Sequence, residues 1–152
     1  MQIEDAASVL ASAEFFGICT DEERRMLAFA SERKRYAAGS VILTSGEVPG
    51  GAQVLISGSI SISPDSNAEP NPYVVSQPGA VISAMALLTE RPREVTVKAI
   101  GVVETLFVPR NSFLKLVNES PELAKRASSR IRRDLVSFVS AVTPMRKKIK
   151  KD

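Results

Sequence analysis

Histidine and tryptophan are absent from this chain, cysteine occurs once, and aromatic residues make up only 5% of it. Without histidine, the side chain that ordinarily titrates near neutral pH and the commonest metal ligand are both missing. The single cysteine, Cys19, excludes an intramolecular disulfide framework and, with no imidazole, the usual zinc-site spacings. Carboxylates remain for acid–base chemistry, but no pair of them stands out, which speaks against an enzyme. No apolar run approaches the roughly 20 residues that cross a bilayer. The start, Met1-Gln2-Ile3-Glu4-Asp5, is acidic where a secretory signal is basic. A cytoplasmic protein with no membrane contact is therefore expected. Cys19 sits close to Phe16 and Ile18 and reads as a small buried hydrophobe rather than a reactive thiol.

What is present suits one domain. The chain has 152 residues, 44% hydrophobic and 24% charged, enough to bury a real core. Residues 3–12 and roughly 20–32 read as helices. Thr20 followed by Glu23 is a capping-box pair, and Met26, Leu27 and Ala30 supply an apolar face. From Tyr36 the hydrophobic period changes to that of strands. Segments 41–43, 53–56, 59–63, 73–75, 81–82, 95–99 and 102–108 are short and β-branched, with glycines 39, 46, 50, 51 and 58 at the turns. Residues 64–72 form a polar loop. This spacing favours a mainly β domain, a sandwich or barrel of jelly-roll type, with flanking helices. After Pro109, Asn111 is placed to cap a short helix through Val117, and Ser120-Pro121 starts a longer one. Leu123, Ala127, Ile131, Leu135, Phe138 and Val142 share one face of it, and Pro144 stops it. There is no tandem repeat.

The stretch from Ser83 to Val97 carries the most information. It reads as a short buried helix, a turn marked by Pro92, the arginine Arg93, and a strand. A helix start presents unpaired N–H groups to an anion, and a guanidinium adds a fork of donors suited to phosphate. This resembles the phosphate-binding cassette of cyclic-nucleotide-binding domains, found in catabolite-activator-type regulators and kinase regulatory subunits. Ala38-Gly39-Ser40-Val41-Ile42 with Gly46-Glu47 is similar to the family's first hairpin, and Leu55-Ile56-Ser57-Gly58-Ser59-Ile60 to its glycine turn.

The resemblance implies a double-stranded β-helix or jelly roll spanning one domain, 1–142. Its parts are N-terminal helices (1–33), a β-roll (34–109) with a cassette helix at 84–90, and a C-terminal helix pair (110–142). Apart from the resemblance, a basic tail (143–152) follows, solvated or touching nucleic acid or an acidic surface electrostatically. The resemblance also places Arg93 as the phosphate partner, with backbone donors at Ser83, Ala84 and Met85. Two residues depart from the family pattern. Family members carry Gly-Glu where this chain has Ser83-Ala84, and the glutamate accepts from the ribose hydroxyl. Losing one charge-assisted hydrogen bond removes roughly 1.5–3 kcal/mol, or about ten- to a hundredfold in affinity. Glu94, where the family has a small residue, either repels phosphate, engages Arg93 in the ligand's place, or turns outward.

The expectation is a non-enzymatic regulatory module. It has no cofactor and takes a cyclic nucleotide such as cyclic AMP or cyclic GMP, or a related anion, weakly. The stripe Ile131, Leu135, Phe138 and Val142 serves as lid and as the seam of a homodimer or partner contact. The alternative is a ligand-free protein-interaction scaffold. Ten residues follow Val142, too few for a DNA-reading module, so no sequence-specific DNA binding is expected.

Overall fold

The computed structural model describes residues 2–64 and 72–130. Helix α1 (Ile3–Ser12) leads through a 3-10 turn (Glu14–Ile18) into α2 (Asp21–Ala30). Six strands follow: β1 (Glu32–Tyr36), β2 (Val41–Leu43), β3 (Gly51–Pro64), β4 (Tyr73–Val75), β5 (Val81–Ile82) and β6 (Val95–Pro109). A second 3-10 turn (Ala84–Leu87) separates β5 from β6. Helix α3 (Arg110–Glu119) and a helix α4 over 121–130 complete the described chain. All pairings are antiparallel, in the order β1-β6-β3-β4, with β2 added to β6 and β5 to β3.

The capping box at Thr20 is formed: Glu23 N donates to Thr20 Oγ1 at 3.1 Å, and Thr20 N donates to Glu23 Oε1 at 2.8 Å. Ser120 caps α4, accepting from Leu123 N at 3.2 Å. Several elements differ from the sequence expectation. Helix α2 stops at Ala30, short of the expected end near residue 32, and the charged stretch Glu32–Tyr36 is a strand. Pairing along its whole length with β6, from Glu32↔Phe107 to Tyr36↔Val103, overrides its weak strand propensity. Helix α3 starts at Arg110 on Pro109, so Asn111 lies inside it and is not its cap. The expected strands 53–56 and 59–63 are one strand, β3, and 95–99 and 102–108 are one strand, β6; with the unexpected β1, the seven expected segments become six strands among the described residues.

These merged strands build the roll. Val54 pairs with Leu106 and Leu55 with Thr105, whereas beyond Ser57 the partners become Ile60↔Ala99 and Ile62↔Val97. The register slips by one residue, which moves β3's even-numbered side chains to the other face. Ala52 and Val54 thus pack outward against the helices, with Leu10, Phe16, Leu27, Phe113 and Leu123. Ile60 and Ile62 turn inward with Leu43, Leu55, Val97 and Val103. Gly58 makes the slip feasible: its φ is +94°, and a Cβ there would lie 2.5 Å from the Val102 carbonyl oxygen. Two apolar clusters therefore share one ribbon.

Candidate functional site at the cassette

Ser83 leaves β5 in the left-handed region, φ 63° and ψ 45°, the one non-glycine residue with positive φ among those described. That geometry explains the family's glycine at this point, since a side chain there costs about 1–2 kcal/mol. The turn that follows is shorter than the 84–90 helix expected. Ala86 N donates to Ser83 O at 3.0 Å, and Leu88 N and Thr89 N both donate to Met85 O at 3.1 Å. The Thr89 hydroxyl donates to the same carbonyl, also at 3.1 Å. With that acceptor saturated and Pro92 unable to donate, helical bonding ends at Leu87. Leu87 is buried among the helices, Ala84 packs on the same cluster, and Met85 is exposed.

Arg93 is held by its backbone. Gly46 N donates to Arg93 O at 2.7 Å, and Arg93 N donates to Glu47 O at 3.0 Å. The Gly46-Glu47 turn and the arginine, distant in sequence, are thus one piece of structure. The half-buried guanidinium makes no side-chain hydrogen bond or ion pair within the described residues. Glu94 is exposed and does not pair with it. Glu94 therefore does not stand in for a ligand's anion on Arg93 in this structure.

Sequence reasoning missed Arg110. Its Nη1 donates to the carbonyls of Pro49, Ala86 and Thr89 at 2.8, 3.1 and 3.3 Å, and its Nη2 lies 3.3 Å from Glu90 Oε1. One guanidinium, 11% exposed, thus ties the end of the cassette turn to the loop before β3. Its only sequence signal is a charged residue directly after a strand, which is too common to single out.

The cassette also connects to the end of the described chain. Leu87 shares a cluster with Phe16, Phe113, Leu123 and Ala127. Arg126 Nε donates to Ile18 O at 2.7 Å and its Nη2 to Glu23 Oε1 at 3.1 Å. Arg130 reaches the Glu14 carboxylate at 3.1 Å. The lid and seam residues Ile131, Leu135, Phe138 and Val142, and the basic tail, lie outside the described residues.

An antiparallel roll with a short helical turn inserted before its longest strand, packed on the helices that precede and follow it, defines a jelly-roll domain. Residues 33–120 match the family described as Cyclic nucleotide-binding domain, and the chain belongs to that family. It is 36% identical over 88 residues to a cyclic nucleotide-gated potassium channel of Mesorhizobium japonicum, covering 58% of this chain and 23% of the channel. It is 27% identical over 105 residues to the cAMP-dependent protein kinase regulatory subunit of Blastocladiella emersonii, covering 68% of this chain and 26% of that protein. The chain thus spans about a quarter of the length of these relatives. The N-terminal domain of a transcriptional regulator from Streptomyces coelicolor has the same fold, with TM-score 0.75 and 23% identity, over 88% of this chain and 94% of that one. None of the described helices is long and apolar enough to cross a membrane.

Proposed function

We propose that this domain is a non-enzymatic regulatory module that takes a cyclic nucleotide or a related anion weakly at the cassette. Binding is passed on through the C-terminal helix. The observation that carries this reading is Arg93. Its backbone is locked to Gly46 and Glu47, while its guanidinium is left without an ionic partner, as a pairing site for one phosphate requires. Ser83, Ala84 and Met85 contribute backbone and hydroxyl donors, and Glu94 stays at the rim. Ala84 supplies no ribose acceptor, which sets the affinity low. Leu87 links the cassette to Leu123 and Ala127 on α4, the route by which the helix responds. In this reading Ile131, Leu135, Phe138 and Val142 close over the site and pair two copies.

Isothermal titration with cyclic AMP and cyclic GMP tests the proposal. The wild-type domain is expected to bind weakly, Arg93→Ala to lose binding, and Ala84→Glu to tighten it about ten- to a hundredfold. No heat with either nucleotide, in the wild type and in Ala84→Glu alike, would overturn the sensor reading and leave the ligand-free scaffold.

A further inference from the structure

Helix α2 carries an apolar ridge that nothing in the described chain covers. Met26 and Phe29 lie three residues apart on one side of it and are 49% and 76% exposed. Ile3, at the start of α1 and 40% exposed, stands beside them. Single exposed hydrophobes are ordinary, but three in one patch with a polar rim mark a contact surface. A groove runs along each flank of the ridge. Towards α1, a cavity of about 630 Å³ is lined by Ile3, Asp21, Glu22, Arg25, Met26 and Phe29. Towards α3, a cavity of about 280 Å³ is lined by Met26, Leu27, Ala30 and Leu116, with Ser112, Lys115 and Glu119. Leu27 and Leu116 are buried and Lys115 and Glu119 exposed, so this second groove is apolar at its floor and charged at its lip.

Shape and charge together point to a second copy of this chain as the occupant. The surface holds a knob, Phe29, and beside it a groove with an apolar floor, so it is complementary to itself, as a two-fold contact requires. Its uncommitted charges have both signs and sit on opposite flanks. Arg25 is engaged by Glu4 and Asp21 by Arg24, which leaves Glu22 towards α1 and Lys115, with Glu119 one turn further on, towards α3. None of these three has an ion partner among the described residues. A two-fold axis parallel to α2 lays the α1 flank of one copy on the α3 flank of the other, which brings an acid opposite a base twice over. We propose that the α2 ridge is a homodimer seam, in which Phe29 of each copy enters the partner's groove between α2 and α3 and Glu22 faces the partner's Lys115. The seam is separate in sequence from the 131–142 stripe, and it does not depend on nucleotide binding at Arg93.

Sedimentation velocity of the whole chain tests this. The wild type is expected to self-associate with Kd of about 100 μM or tighter. Phe29→Glu alters an exposed position outside the core, so it should keep the wild-type circular dichroism and weaken association about thirtyfold or more, as loss of an aromatic anchor does. Glu22→Lys and Lys115→Glu should each weaken it about two- to fivefold, and the two together should recover it. A second measurement reads the seam directly. Phe29→Cys chains mixed with Ser112→Cys chains under mild oxidation should give the mixed disulfide in preference to either symmetric one, while the buried Cys19 stays out of the exchange. The proposal is overturned if the wild type stays monomeric at millimolar concentration, if the double charge swap fails to recover association, or if no mixed disulfide forms. It is equally overturned if Phe29→Glu associates as the wild type does, which would assign the dimer to the 131–142 stripe.

Discussion

Ser83 and Cys19 show how single positions carry strain and charge in this fold. Ser83 occupies a left-handed conformation that glycine adopts freely. Ser83→Gly relieves that strain, at the cost of a looser unfolded chain. The net expectation is a gain of about 0.5–1 kcal/mol in urea denaturation; a loss would mean that the Ser83 side chain stabilises the turn. Cys19 is 5% exposed, and burial, helped by the charge of Glu23, pushes its thiol up to about 12 against the opposing charges of Arg24 and Arg126. Folded and unfolded states both keep the proton below the unfolded pKa, so no penalty exists there. Above it the unfolded thiol ionises and the folded one does not. Stability then falls by roughly 1.4 kcal/mol per pH unit, from about pH 9 towards pH 12. Comparing the wild type with Cys19→Ala in denaturant across that range isolates the slope, and parallel profiles would refute it.

The cassette depends on elements far from it in the chain. Arg110, the first residue of α3, satisfies three carbonyls that would otherwise be unpaired around a four-residue turn. Arg110→Ala leaves them stranded, and about 2–4 kcal/mol of stability is expected to go with it. Hydrogen exchange should localise the effect. Leu88 and Thr89, whose N–H groups bond to Met85 O, should lose protection before β3 and β6 do. Equal loss everywhere would show that Arg110 supports the fold generally and not the cassette. The guanidinium's Nε is buried without a partner, so part of its favourable bonding is offset.

The molecule as a whole has two apolar clusters built on one β3–β6 ribbon, with the register slip sending each half to its own core. Neither cluster can come apart without the shared ribbon, so thermal and urea unfolding should each be a single transition. With no tryptophan, Tyr36 and Tyr73 are the fluorescent reporters. Their emission and the far-UV circular dichroism should give coincident curves. An early loss of helix signal would mean that the helical layer melts on its own.

Much of this was readable from residue types and spacing. Glycines at turn positions, short β-branched runs, the Thr20–Glu23 box and the Ser83–Val97 pattern all act through local rules, and local rules are written in adjacent residues. The charged strand Glu32–Tyr36, the fusion of four expected strands into two and the Arg110 clamp were not readable. Each depends on partners at least 20 residues away, from Arg110 on Glu90 to Glu32 opposite Phe107. The sequence alone thus determined the class of fold and the place of the cassette, because backbone geometry and hydrophobic period are local properties. Tertiary structure decided which charges remain unpaired and what encloses them, because pairing and burial exist only once distant segments meet.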